Sequence, residues 1–226
     1  MKKVFLYLNT IVFFVTLVTA LIYHANGGIL LKAFTSFGFL FIGVINLIYA
    51  IICKADVFKY PAVITCGLLL SFTGDVLINY NFIIGAILFA LGHILYLVAY
   101  CLNLRFNKKD FLIGIVLFAI SSLTILLCKE LVFNSVVMKL VCIVYALVIS
   151  ATLGKAFGNF INSKSLTSFT AAIGTLLFFI SDVALLFYMF AGASEIPNTI
   201  CLFTYVPGQC IIAFSVNAFV NKKGSV

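Results

Sequence analysis

Charge is what this sequence has least of. Only 9% of its 226 residues are charged, against roughly 25% in an ordinary soluble domain, and 65% are hydrophobic. A core of this size cannot hide so much apolar surface from water, so lipid must act as solvent for much of the chain. Tryptophan is absent, and proline occurs only three times. Histidine is limited to His24 and His93. The seven cysteines, Cys53, Cys66, Cys101, Cys128, Cys142, Cys201 and Cys210, include no Cys-x-x-Cys pair. These shortages argue against a zinc hydrolase and a disulfide scaffold. Cysteines inside apolar runs act as small hydrophobes. The residues call for no metal or cofactor. The formal charge of +8 would suggest nucleic acid in a soluble protein. Here the basic residues sit in short links between apolar runs, where topology signals belong, so no nucleic-acid partner is expected.

What is present is a series of apolar runs. A helix needs about 20 apolar residues to cross a hydrocarbon core of about 30 Å. Eight runs qualify: Val4–Tyr23, Ala33–Cys53, Tyr60–Asn79, Phe82–Asn103, Phe111–Cys128, Val136–Phe157, Thr167–Phe190 and Asn198–Val220. The breaks between them, including Gly158–Ser165, are short and polar. The expected fold is all-α: one polytopic transmembrane domain over residues 1–226 with eight membrane-spanning helices. The first run lacks a clear cleavage site and is expected to be a retained helix rather than a signal peptide. Its lipid surroundings are the partner these runs imply; they say nothing of oligomeric state.

Orientation follows from the basic residues. The N-terminus, the even-numbered loops and the C-terminus hold Lys2, Lys3, Lys54, Lys59, Arg105, Lys108, Lys109, Lys155, Lys164, Lys222 and Lys223, 11 of 14; the other side holds Lys32, Lys129 and Lys139. Both termini are therefore expected on the cytoplasmic side. The Lys-rich, Phe-rich, Trp-free composition points to a bacterial cell membrane.

Acidic residues are few enough to inspect one by one. Asp56, Asp110, Glu130 and Glu195 fall between runs and read as solvated loop charges. Asp75 and Asp182 lie inside apolar runs. An ionised carboxylate at the bilayer centre costs about 2.5–3.5 kcal/mol even on insertion scales, and such residues usually face a cavity or pathway. Both occupy the later parts of helices running in the same direction, so both belong to one half of the membrane and are placed to meet. Ser71 and Asn79 flank Asp75 at four residues on either side. His93 lies mid-run, with Tyr96 and Tyr100 on its face. Tyr205 and Gln209 share another face, and Tyr145 is a weaker candidate. The segment Leu69–Val76 also aligns without gaps on Leu176–Val183. Four helices separate them, which suggests two parallel four-helix halves with a site between.

Four blocks carry a family resemblance: Ser71–Asp75 with Gly74-Asp75, Gly92-His93 followed by Tyr96, Gly174–Asp182 with Ser181-Asp182, and Tyr205–Gln209. In order and spacing, and with eight helices in a chain of this length, they resemble the YhhN-like membrane proteins, which include the lysoplasmalogenases. That resemblance implies hydrolysis of the vinyl-ether bond of a lysoplasmalogen, releasing a fatty aldehyde and a glycerophospho-alcohol. The substrate would be a lysophospholipid.

The residues suit such a reaction. Vinyl ethers hydrolyse by protonation at carbon, passing through an oxocarbenium ion, a problem glycosidases solve with two carboxyls. Asp75 and Asp182 are expected as the acid–base pair, in either order, sharing one proton as buried pairs do. His93, Tyr96, Tyr205 and Gln209 would orient them or the substrate. Asn79 and Ser71 would hydrogen-bond Asp75, and Lys32 or Lys129 would meet the phosphate. Two other classes fit the same features: a small proton-coupled carrier, and a structural membrane protein whose acids fix helix packing.

Overall fold

The computed structural model describes residues 2–53, 58–192 and 195–223. Among these, every regular element is an α-helix: α1 (Lys2–Asn26), α2 (Ile29–Ile52), α3 (Lys59–Leu77), α4 (Phe82–Asn103), α5 (Lys108–Leu127), α6 (Val136–Ser163), α7 (Leu166–Phe190) and α8 (Glu195–Lys223). All eight are long and apolar enough to cross a membrane. The chain is a multi-pass integral membrane protein. Lys54 and Asp56, read above as loop charges, lie outside the described residues.

Several helices outrun their apolar stretches, because capping residues, not hydropathy, decide where a helix begins. Asn107 and Asp110 form a reciprocal capping box, so α5 starts at Lys108, three residues before Phe111. Asn81 caps α4, accepting from the Ile84 N–H at 3.1 Å. Ser135 and Ser165 cap α6 and α7. The expected break at Gly158–Ser165 is mostly helix: α6 runs on to Ser163, and Lys164 then turns with φ 47°. The extension survives because the Asn159 amide is buried and donates to the Tyr100 carbonyl at 2.8 Å. Between α1 and α2, Gly27 and Gly28 have φ of 68° and 93°, a region that L side chains rarely enter.

Neighbours pack through glycine. A Cβ on Gly67 would stand 3.2 Å from the Gly92 carbonyl oxygen, and one on Gly174 only 2.8 Å from that of Gly208. Gly154 lies equally close to Gly114, where α6 meets α5. Small residues let helix backbones approach where lipid offers no hydrophobic drive. The contacts α1 to α2, α2 to α3 and α3 to α4 recur as α5 to α6, α6 to α7 and α7 to α8, and the contact of α2 with α8 recurs as that of α6 with α4. Exchanging α1–α4 with α5–α8 therefore maps most of the packing onto itself, in keeping with two parallel halves; the contacts of α8 with α1 and α3 break the pattern. Helices α1 and α5 bury least against the bundle, and α2, α3 and α8 most.

One loop charge was misread. Asp110 is 1% exposed, and its carboxylate lies 2.7 Å from the ammonium of Lys155, itself buried in α6. The capping box draws Asp110 into the first turn of α5. Gly158, one helical turn beyond Lys155, leaves room for the carboxylate, whose Oδ1 occupies the space a Cβ would take.

Candidate active site

At the end of the bundle away from the termini, a cavity of about 330 Å³ opens among α1, α2, α3, α7 and α8. Its polar walls come from Tyr23, Lys32, Asp75, Asn79, Asp182 and Asn198. The two carboxylates thus face one space. They hold different partners there.

Asp75 lies two residues before the end of α3. Its carboxylate pairs with Lys32 at 3.1 Å and accepts a hydrogen bond from the Ser36 hydroxyl. Lys32 and Ser36 are one turn apart on α2, so a single helix face presents both. Lys32 also donates to the Asn79 side-chain oxygen at 3.3 Å. Asn79 does not reach the Asp75 carboxylate as expected; its amide donates to the Asp75 backbone carbonyl at 2.8 Å. The reason is that Asn79 follows the last turn of α3, where carbonyls lack helical partners.

Asp182 lies deeper, eight residues before the end of α7 at Phe190. His93 Nε2 on α4 is 3.4 Å from its Oδ2, and the Tyr145 hydroxyl on α6 approaches the same carboxyl. Both contacts are looser than ordinary hydrogen bonds, and neither His93 nitrogen has another partner among the described residues. Catalytic hydrogen bonds are often long before substrate binds. The His93 ring is wholly buried and lies on Phe178, with centroids 4.3 Å apart. Thr152 anchors the backbone beneath it, donating to the His93 carbonyl at 3.1 Å.

The two carboxylates have different neighbours and form two assemblies, Asp75–Lys32–Ser36 and Asp182–His93–Tyr145. Phe89, Phe178 and Tyr205 stand edge to face at centroid distances of 5.3–5.9 Å, and all three line the cavity. Cys201 on α8 lies within electrostatic range of both carboxylates and of Lys32.

The remaining expected residues form a layer behind the wall. Ser71 bonds the Tyr96 hydroxyl at 3.2 Å instead of Asp75. Tyr96 donates to the Gln209 side-chain oxygen at 2.8 Å, and Tyr205 donates to the Ser71 backbone carbonyl at 3.3 Å. Ser71, Tyr96 and Gln209 are fully buried and line neither cavity. Ser71 turns from Asp75 because α4 crosses close by: a Cβ on Gly92 would stand 3.0 Å from its hydroxyl oxygen.

A second cavity, about 290 Å³ and almost wholly apolar, lies among α4, α5, α6 and α7. It shares Ile78, Phe89, Asp182 and Leu185 with the first. Sequence reasoning missed Ser36, whose signal was its position four residues after Lys32, and undervalued Tyr145, whose role depends on α6 meeting α7. Among the described residues, no three His, Cys, Asp or Glu side chains gather as a metal set.

No curated protein and no solved structure matches the chain significantly. The sequence profile of the YhhN family matches residues 29–216. That span runs from the first residue of α2 into α8 and takes in Lys32, Asp75, His93, Asp182 and Gln209; the chain belongs to the YhhN family.

Proposed function

We propose that this protein is a membrane-embedded hydrolase of lysoplasmalogens, cleaving the vinyl-ether bond by aspartate acid–base catalysis. The observation that carries the reading is the pair of buried carboxylates that wall one cavity with unlike partners. Membership of the YhhN family is consistent with it.

Asp182 is the proton donor. Its proton passes to the β-carbon of the vinyl ether, leaving an oxocarbenium ion and a carboxylate beside His93. Asp75, paired with the Lys32 ammonium, is the base. It accepts a proton as water adds to the cation, and the hemiacetal that results breaks to aldehyde and alcohol. Transfer of that proton through water returns Asp182 to its acid form, so the sum consumes one water. Lys32 has a second use: it faces the cavity at 18% side-chain exposure, within reach of a glycerophospho head group. Ser71, Tyr96 and Gln209 act as positioning residues, since they touch only the wall.

The test is aldehyde release from a lysoplasmalogen by the purified, detergent-solubilised protein, with Asp75→Asn and Asp182→Asn beside it. Aldehyde from the wild type and from neither variant is expected. Full activity in both folded variants would overturn the mechanism. Substrate-dependent uptake into proteoliposomes without hydrolysis would favour a carrier.

A further inference from the structure

The reacting acid sits in a septum between two unlike spaces. On one side are Lys32, Asp75, Asn79 and Asn198; on the other are Leu117, Val141, Ala146, Ile149 and Leu186, with Asp182 belonging to both. A single-chain lipid changes character at one place, where the polar glycerol phosphate meets the hydrocarbon. We propose that the apolar cavity between α5, α6 and α7 is the binding site for one hydrocarbon chain of a single-chain lipid, and that it sets chain-length preference. The claim that the scissile bond then lies at Asp182 rests on the hydrolase reading; the chain site itself does not.

Size and access agree. At about 30 Å³ per water-sized group, the 290 Å³ cavity holds roughly ten chain carbons, fewer than a long lipid tail has. The rest must leave the protein. Ile120, on the rim, is 58% exposed, so the cavity opens on the lipid-facing side of α5, and a longer tail passes out between α5 and α7 into the bilayer.

Because the protein has no tryptophan, one introduced indole reports on one place. In liposomes of dioleoyl phosphatidylcholine, Leu117→Trp is titrated with a lysophosphatidylcholine brominated in mid-chain. Leu147→Trp, from an exposed position beside Ala146 on α6, is the control. Quenching that saturates in the first and rises in proportion to probe in the second is expected; proportional quenching in both means that only bulk lipid enters, and sinks the proposal. Ala146→Phe fills the cavity, and Ser121→Phe narrows it at the half-buried rim, where little repacking is needed. Each methylene denied burial costs roughly fourfold. Probe affinity in the Leu117→Trp background should therefore fall about tenfold or more with either change, and turnover should shift toward shorter chains. Saturable quenching without hydrolysis keeps the chain site and removes the hydrolase reading. Hydrolysis with an unchanged chain-length profile in both filled variants does the reverse.

Discussion

Two lysine–aspartate pairs stand at opposite ends of this bundle, and they differ in almost everything but chemistry. Lys155 and Asp110 are sealed, with both side chains at 0% exposure and 2.7 Å apart. Every strong contact around them is structural: Asp110 accepts from the Asn107 backbone N–H at 2.9 Å, and Lys155 donates to the Arg105 carbonyl at 2.9 Å. They tie the α4–α5 link to α6 and line neither of the two cavities. Lys32 and Asp75 are 3.1 Å apart and keep 18% and 10% side-chain exposure. They face a cavity of about 330 Å³ shared with a second acid. The first pair is surrounded by its own backbone; the second has an open side where a ligand fits. Burial alone therefore does not mark a candidate site; on the proposed reading, an unfilled side does.

The sharpest way to test that contrast is through the acid that shares the open cavity. Asp182→Asn should reduce aldehyde release by about 10²–10⁴-fold, the usual loss for a general acid, with the melting temperature little changed. Equal losses of activity and fold would instead put Asp182 in the same structural class as Asp110. Next in size is the sealed pair. Lys155→Met leaves a buried carboxylate without its cation and should cost about 3–5 kcal/mol of stability. Melting can be followed with a thiol-reactive dye, since Cys142 and Cys210 are buried. Adding Asp110→Leu to Lys155→Met should recover most of that loss, because an apolar pair of similar volume is often neutral or better. No recovery would mean the pair does more than hold the fold.

Lys32→Gln should behave in the opposite sense. Removing one charged hydrogen bond of about 1.5–3 kcal/mol from the open pair should lower turnover about 10–100-fold, and melting should move little. A large melting shift with normal turnover would erase the distinction between the two pairs. The smallest effect belongs to the cap beside the sealed pair. Asn107→Ala should cost about 1 kcal/mol of stability and leave aldehyde release untouched. An activity loss there would show the two ends of the bundle to be coupled.

The fold was legible because lipid writes it in composition. Every spanning helix must satisfy its own backbone, so eight apolar runs became eight helices, and Phe82–Asn103 matches α4 at both ends. Several other ends were less legible, because Asn107 and Asn159 act through side-chain hydrogen bonds that hydropathy does not register. Asp75 and Asp182 stood out for the same reason the helices did: lipid makes a lone carboxylate expensive. Their partners did not stand out. Ser36 and Lys32 come from α2, Tyr145 from α6 and His93 from α4, and no spacing along one chain segment reveals which helices touch.

By itself, then, the sequence determined how many times the chain crosses the membrane and which two acids had to face away from lipid, since both follow from the cost of burying a polar group in hydrocarbon. Only the tertiary structure decided that Asp75 goes with a lysine and Asp182 with a histidine, that Asp110 is sealed rather than solvated, and that a polar space and an apolar one meet at Asp182. Those outcomes depend on helix crossings at Gly67, Gly92, Gly174 and Gly208, where backbones lie close enough for side chains on different helices to choose their partners.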